Sequence, residues 1–195
     1  MLENTRTDDP VPTPLAELRD LARISLYAAL VGAGAFIHVP VLAMHISLQT
    51  MALMLAGFAL GPRRAALAMT LYAACGLLGL PVFGRGVAGP AALFGPTAGY
   101  FLGFIPGAAV AGISARFGGG RRRRLAARFL FGLLGTLTVL LVGALVLWLR
   151  FIPDPERAFA VGVLPFIGSD TVKMALAAVL AEALSSGGAG EGGDG

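Results

Sequence analysis

The sequence predicts an all-α polytopic membrane protein with six transmembrane helices. Hydrophobic residues make up 56% of the 195 residues and charged residues only 13%, whereas soluble domains carry about a quarter charged residues. The mean hydropathy is +0.80. The apolar residues are concentrated in six segments, and most arginines lie near the ends of these segments or between them. These observations indicate a membrane domain, so we read the basic pI as a sign of membrane topology and expect no nucleic-acid partner.

The six apolar segments differ in length. They cover about Leu21–Val39, Ile46–Leu60, Ala65–Leu80, Ala98–Ala115, Leu125–Leu149 and Ala160–Leu184. Because a membrane-crossing helix needs about 20 residues and about 17 can suffice, the second and third segments are short. We expect these two to be partly interfacial or enclosed by the others. Strict alternation of apolar and polar residues is absent from the segments, which favours helices over a barrel.

Polar stretches flank this membrane domain, which we assign to residues 21–184. Residues 1–20 predict a flexible cytoplasmic tail with no signal-peptide pattern, ending in a short amphipathic turn around Leu15–Leu21. Residues 185–195 are rich in glycine and acidic, which predicts a second flexible tail.

The distribution of arginines predicts the orientation, because cytoplasmic loops carry an excess of basic residues. With the N-terminus inside, three arginines lie outside (Arg85, Arg150 and Arg157). Eleven lie inside: Arg6, Arg19, Arg23, Arg63, Arg64, Arg116, Arg121, Arg122, Arg123, Arg124 and Arg128. The sequence therefore predicts cytoplasmic termini in a cell (plasma) membrane protein, with the Arg121–Arg124 stretch touching anionic membrane lipid.

Two ionisable residues, Asp170 and Lys173, interrupt the last apolar segment. Each costs roughly 2.5–3.5 kcal/mol to insert at the bilayer centre. Their i, i+3 spacing puts them on one helix face, where they can pair or face a third polar group. A buried ion pair that only fixed helix register would be a poor stabiliser, so we expect the pair to serve a ligand. The other polar residues at membrane depth fall mostly in the outer half: Gln49, Thr50, Thr70, Tyr72, Thr97, Tyr100 and Thr171.

The outer loop Pro81–Pro96 is too apolar for a solvated loop and contains too much glycine and proline for a helix. Irregular backbone at membrane depth is tolerated where it is buried in protein or lines a cavity. The sequence therefore predicts a lid that folds over the outer mouth of the helices, between the third and fourth segments.

Other motifs indicate less. His38 and His45 have no cysteine or carboxylate beside them, so no metal site is expected, and no phosphate-binding loop or cofactor motif is present. Ser169 stands beside Asp170 and four residues before Lys173, which leaves open a small intramembrane hydrolase that uses this serine. The first segment contains small residues at helical spacing that could serve internal packing or docking of a partner: Ala28, Ala29, Gly32 and Ala33.

Four linked motifs run in order along the chain. They are Ile46–Thr50 with Leu55–Gly57 and Leu60–Arg63, Tyr72 with Gly76–Phe83, Gly95–Tyr100, and Leu164–Lys173. Together they resemble the BioY family, the biotin-specific substrate-binding (S) components of energy-coupling factor (ECF) transporters. Ala98 replaces a more usual glycine, and Ser169 stands where that family usually has glycine just before the acid. The resemblance covers about residues 22–184.

The resemblance implies a six-helix S component that binds biotin from the outer side and has no enzymatic activity. It also implies two kinds of partner, a transmembrane coupling protein of the EcfT type and cytoplasmic ATPases of the EcfA type. The coupling protein would dock on the small residues of the first helix. Some members are proposed to act without this module, and the sequence leaves that question and a homo-oligomer open. An S component for another vitamin is the alternative within the same class.

The resemblance also suggests which residues bind biotin. Asp170 would accept the ureido N–H groups in a charge-assisted contact. Lys173 would keep Asp170 ionised and donate to a ligand oxygen. The remaining expected binding residues supply hydroxyl, amide, aromatic and cationic groups: Tyr100, Thr97, Gln49, Phe83 and Arg85.

Overall fold

The described part of the chain forms a bundle of seven α-helices and one short β-hairpin. The computed structural model describes residues 13–41 and 44–187, without the side chains of residues 38–41, 44–46, 85 and 187. The elements are α1 (Pro14–Gly34), β1 (His38–Val41), β2 (Met44–Ser47), α2 (Gln49–Leu60), α3 (Pro62–Leu77), α4 (Ala98–Gly112), α5 (Arg121–Arg150), α6 (Pro155–Gly162) and α7 (Leu164–Gly187). Short 3-10 turns occur at Gly84–Gly86, Pro90–Phe94 and Ile113–Arg116.

Three helical stretches of the described chain are long and apolar enough to cross a membrane. They are Ala98–Arg116, Arg121–Arg150 and Pro155–Ser186. Helix α2 is also apolar but has only 12 residues, and α3 has 16. These lengths agree with the expectation that the second and third segments are short. Helix α1 begins at Pro14 and therefore extends through the stretch where we expected only a short amphipathic turn.

The hairpin was not predicted. We expected the first helix to run to about Val39, but α1 ends at Gly34 and β1 pairs with β2 in antiparallel register, Val39 opposite Ile46. β-Branched residues favour strands, and here they override the continuation of the helix. The Leu48 amide donates to the Gly34 carbonyl at 3.2 Å, so the hairpin returns the chain to the end of α1. This return fixes where α2 begins.

The predicted sixth helix is also divided in two. The chain forms α6, departs from helical geometry at Val163 (φ −120°, ψ −55°), and then forms α7. Pro165 has no N–H to continue the helical hydrogen bonds, which explains the break. Helix α6 begins earlier than expected because the Asp154 carboxylate caps it, accepting from the amides of Glu156 at 3.0 Å and Arg157 at 3.3 Å.

Helices α4 and α5 pack closely through glycine. A Cβ atom added at Gly107 would lie 2.4 Å from a methyl group of Val139, and one added at Gly99 would lie 2.7 Å from Val146. Small residues allow this approach of two backbones, which is a common way for helices to associate in lipid. The close contact gives α4 a rigid support for its N-terminal residues.

The predicted inner positions come together at one end of the bundle. Arg64 in α3 forms an ion pair with Asp20 in α1, and Arg124 and Arg128 in α5 both pair with Glu182 near the end of α7. Arg150 lies at the other end of α5, about 39 Å from Arg124 and about 33 Å from Arg128 along the helix at 1.5 Å per residue. We refer below to these two ends as the arginine-rich end and the opposite end.

Candidate functional site

The polar centre of the bundle is the ion pair between Asp170 and Lys173 in α7. Both are buried, with 4% and 8% of their surface exposed, and the Lys173 ammonium lies 2.6 Å from Asp170 Oδ1. Lys173 also donates to Thr50 Oγ1 and to the Ser47 carbonyl, each at 3.0 Å. An ammonium group has three N–H donors, so all the donors of Lys173 are used within the protein.

The two oxygens of Asp170 differ in their surroundings. Oδ1 accepts from Lys173 and from the Thr50 hydroxyl, which is 3.0 Å away. Among the described residues, Oδ2 has no hydrogen-bond partner. Every described side-chain nitrogen or oxygen that is sealed from solvent does have a partner, so Oδ2 must reach solvent. Oδ2 is therefore an accessible acceptor on a carboxylate whose charge is compensated by a neighbouring ammonium. It is well suited to accept an N–H group from a ligand.

A second polar group joins α2, α3 and the outer loop. The Gln49 side-chain amide donates to the Tyr72 hydroxyl at 2.7 Å and to the Val82 carbonyl at 3.5 Å, and Tyr72 donates to the same carbonyl at 3.2 Å. The Ser47 hydroxyl donates to Gln49 Oε1 at 3.3 Å, while the Ser47 carbonyl accepts from Lys173. One continuous network thus runs from the ion pair to the start of the loop.

Phe83 anchors the loop in the core. Its side chain is 1% exposed, its ring meets Tyr72 edge-on at 5.6 Å, and it lies 4.6 Å from the ring of Phe101. A Cβ atom at Gly76 would lie 2.3 Å from the Phe83 ring, so this packing requires glycine. The amide of Phe83 also donates to the Val87 carbonyl at 3.3 Å, which closes a small loop after it. The start of the predicted lid is therefore fixed to the bundle.

Tyr100 supports the α7 side of the site. Its hydroxyl donates to the Gly162 carbonyl at 2.7 Å, next to the break between α6 and α7, and its ring lies 5.9 Å from that of Phe166. Phe166 is one helical turn before Asp170, on the same side of α7. A Cβ atom at Gly143 would lie 2.4 Å from the Tyr100 ring, so α5 also needs a glycine here.

The structure does not bring all predicted binding residues together. Thr97 is exposed at the N-terminal boundary of α4 and makes no side-chain capping bond there. Arg85 lies in the turn Gly84–Gly86, and its side chain is outside the described part of the structure.

Three residues of the network were not assigned to the site from sequence: Ser47, Thr50 and Tyr72. Thr50 and Tyr72 were recognised only as polar groups at membrane depth, and Ser47 was not distinguished. A signal was present, because Ser47 and Thr50 flank Gln49 in the first motif and Tyr72 opens the second.

Ser169 lacks the contacts that an activated serine needs. Its hydroxyl donates to the Phe166 carbonyl at 3.2 Å, and within the described chain it has no hydrogen bond to Asp170 or Lys173. A nucleophilic serine requires a base within hydrogen-bond reach, and the Lys173 ammonium is committed to other partners. The geometry therefore gives the hydrolase alternative no support.

The small residues of α1 lie on two different faces. Ala28 and Gly32 are buried, and a Cβ atom at Gly32 would lie 3.2 Å from a methyl group of Val82. Ala29 and Ala33 are exposed. The first pair therefore packs inside the bundle, and the second pair is available on its outer surface.

Comparison with known proteins identifies the family. The model of the BioY family matches residues 5–188. The chain is 36% identical to the probable biotin transporter BioY of Pyrococcus horikoshii, over 85% of this chain and 96% of that protein. It is 33% identical to the biotin transporter BioY of Thermotoga maritima, over 84% of this chain and 94% of that protein.

A solved structure has the same fold. The crystal structure of the S component for biotin from an ECF-type ABC transporter matches with a TM-score of 0.76 and 25% identity, over 90% of this chain and 95% of that one. This match confirms the predicted helical membrane fold and, together with the long apolar helices, the prediction of a multi-pass cell-membrane protein. On the evidence of its motifs, its fold and these relatives, the chain belongs to the BioY family.

Proposed function

We propose that this protein binds biotin with high affinity and takes it up across the cell membrane as the S component of an ECF transporter. The family, the names of the curated relatives and the solved S component for biotin all support this function. The observation that carries the proposal at the level of residues is the free Oδ2 atom of Asp170. It is a buried, charge-compensated acceptor suited to the N–H groups of a ureido ring.

The network suggests separate roles for its members. Asp170 Oδ2 accepts a ureido N–H group, and Lys173 positions this carboxylate and compensates its charge. Because its three donors are already used, Lys173 binds a ligand oxygen only if it gives up Thr50 or Ser47. The geometry therefore favours Lys173 as a positioning residue over the direct donor expected from sequence.

Gln49 and Phe83 are proposed to anchor the loop that closes the site. Gln49 binds the Val82 carbonyl, and Phe83 is buried beside it, so both hold the start of the loop Pro81–Pro96 against α2 and α3. The later part of this loop would act as the lid over the sulfur-containing (thiophane) ring of biotin. Gln49 Oε1 lies 3.9 Å from a Cβ atom placed at Gly84, which puts its remaining acceptor capacity next to the loop.

The other expected binding residues keep narrower roles in the proposal. Tyr100 contributes its ring, because its hydroxyl already donates to Gly162. Arg85 lies near the start of the loop and Thr97 directly follows it, and both would contact the ligand from the loop side, with Arg85 as the candidate partner of the biotin carboxylate.

We also propose the partners and their docking surface. An EcfT-type coupling protein would dock on α1, and EcfA-type ATPases would supply the energy for uptake. The exposed residues Ala29 and Ala33 allow a neighbouring backbone to approach closely, whereas Ala28 and Gly32 serve packing within the bundle. In this role the chain binds and delivers its ligand and catalyses no reaction.

Retention of tritiated biotin by the purified full-length protein in detergent tests the proposed function. We expect one biotin per chain, displaced by unlabelled biotin and not by thiamin or riboflavin. Displacement by thiamin or riboflavin would favour an S component for another vitamin. A folded preparation that retains no biotin would refute the substrate assignment.

A further inference from the structure

A cavity lies at the arginine-rich end of the bundle. Its volume is about 440 Å³, within the range of about 300–1,000 Å³ that is usual for small-ligand sites. Glu182, whose carboxylate borders this region, follows Asp170 by 12 residues in α7, which corresponds to about 18 Å along the helix. The cavity is therefore separate from the polar network around Asp170.

Positive charge dominates this cavity. Arg23 from α1 and Arg124 and Arg128 from α5 line it, and Glu182 is the carboxylate that pairs with two of them. Three guanidinium groups thus face one carboxylate, which leaves an excess of two positive charges. An excess of this kind attracts anions.

Several donors in the cavity are unused. Arg128 is 8% exposed and donates through Nη1 to Glu182, while its Nε and Nη2 atoms have no hydrogen-bond partner within residues 13–41 and 44–187. Arg23 has no ion pair and the Tyr27 hydroxyl has no hydrogen bond to any other described residue, although both line the cavity. These donors all reach solvent, because no described side-chain nitrogen or oxygen is both sealed from solvent and unpartnered, so they are accessible to a ligand that accepts hydrogen bonds.

Apolar side chains make up much of the remaining lining. Leu55 and Phe58 from α2 and Leu184 from α7 line the cavity together with the cationic groups and with Ser114 and Ser185. A free phosphate ion would leave this apolar surface unused, whereas a phospholipid would place its acyl region there and its phosphate among the arginines. A guanidinium group can bind phosphate with two parallel hydrogen bonds.

We propose that this cavity binds the phosphate-containing headgroup of an anionic phospholipid, with Arg23, Arg128 and Tyr27 as its donors. The arginine distribution assigns this end to the cytoplasmic leaflet. The bound lipid would link α1, on which the coupling protein is proposed to dock, to α2, α5 and α7. The proposal does not depend on the identity of the transported ligand.

The test uses the purified full-length protein in a neutral detergent without biotin. Three probes are titrated separately: dihexanoyl phosphatidylglycerol, dihexanoyl phosphatidylcholine and inorganic phosphate. Native mass spectrometry gives the stoichiometry, and the shift in thermal unfolding temperature gives the affinity. We compare the Arg23→Gln variant with Arg63→Gln, because both arginines are exposed at the same end and only Arg23 lines the cavity.

We expect saturable binding of one phosphatidylglycerol per chain and much weaker binding of the other probes. Arg23→Gln should weaken it about fivefold, the loss expected for one basic residue near an anionic lipid. Arg63→Gln should change it less than about twofold because a distant exposed charge is largely screened. Equal losses in both variants would overturn the proposal in favour of diffuse surface attraction. Equal binding of phosphatidylcholine would overturn the role of charge, and equally tight inorganic phosphate would overturn the lipid assignment.

Discussion

Replacing Asp170 by asparagine tests the central contact of the site. The substitution keeps the size of the side chain but removes its negative charge. At the position of Oδ2 it leaves either an NH₂ group, which cannot accept, or a neutral amide oxygen. A hydrogen bond to a charged group contributes about 1.5–3 kcal/mol. A loss of about 2 kcal/mol corresponds to about 30-fold weaker binding, so we expect biotin affinity to fall by more than tenfold.

The same substitution also leaves Lys173 without its counter-charge. Removing one partner of a buried ion pair costs about 3–5 kcal/mol of stability, so reduced binding alone could reflect a damaged fold. The double variant Asp170→Asn/Lys173→Met removes both charges and keeps similar volumes. Neutral replacement of a buried pair is often tolerated, so we expect this variant to keep the wild-type unfolding temperature and still fail to bind biotin.

The assay is equilibrium binding of tritiated biotin, with the thermal unfolding temperature measured for each preparation. Thr50→Val is the matched control because it removes the hydrogen bonds of the Thr50 hydroxyl to Oδ1 and to Lys173 but leaves Oδ2 and both charges intact. We expect this control to lose about 1 kcal/mol, or about fivefold in affinity.

Two results would refute this reasoning. If the folded double variant bound biotin within about threefold of wild type, the ion pair would be structural only. If Thr50→Val weakened binding as much as Asp170→Asn, the free oxygen would not be the ligand acceptor.

Three further predictions concern the surrounding structure. Tyr72→Phe removes the hydroxyl that accepts from the Gln49 amide, and it should lower the free energy of unfolding by about 1–3 kcal/mol, measured by thermal melting in detergent. Gly143→Ala places a methyl group 2.4 Å from an aromatic ring and should cost about 1–3 kcal/mol in the same assay, whereas Gly168→Ala enters open space in a helix and should stabilise by about 1 kcal/mol. Glu182→Gln leaves two arginines without their carboxylate, one of them buried, and should lower the unfolding temperature by the equivalent of about 3 kcal/mol.

Each of these predictions has a contrary outcome. An unchanged melting temperature for Tyr72→Phe would mean that the loop carbonyl or water satisfies the amide. Similar effects of Gly143→Ala and Gly168→Ala would contradict the close packing of α4 against α5. A fully stable Glu182→Gln variant would show that the arginines are well solvated without their carboxylate.

Much of the candidate site could be predicted from sequence because the cost of an ion in hydrocarbon is a property of the residue itself. Asp170 and Lys173 are distinctive in any apolar helix, and their spacing alone puts them on one face. The structure pairs them at 2.6 Å, as the spacing allowed. Their predicted role towards a ligand stays a prediction that the binding assays test.

The partners of these residues could not be predicted in the same way. Lys173 contacts Ser47 and Thr50, which lie 126 and 123 residues earlier in the chain, and such contacts depend on how α7 packs against α2. The inward position of Phe83 likewise depends on the glycine opposite it in α3. Saturation of the lysine, which changes its proposed role, follows only from these distant contacts.

Errors in the predicted elements have a similar cause. Hydropathy sums over a segment, so it detected a sixth apolar stretch but not the break at Val163 or the hairpin after Gly34. The local signals for the break and for the start of α6, Pro165 and the capping Asp154, were present in the sequence. The prediction of one sixth helix relied instead on the length of the apolar stretch.

The sequence by itself determined the membrane class, the family motifs and the two buried charges, because composition and insertion cost act residue by residue. Only the tertiary structure decided which oxygen of Asp170 is free, which small residues of α1 face outwards, and that arginines from two helices line one cavity. These features depend on packing between distant segments, and a linear pattern does not encode the side on which each neighbour lies.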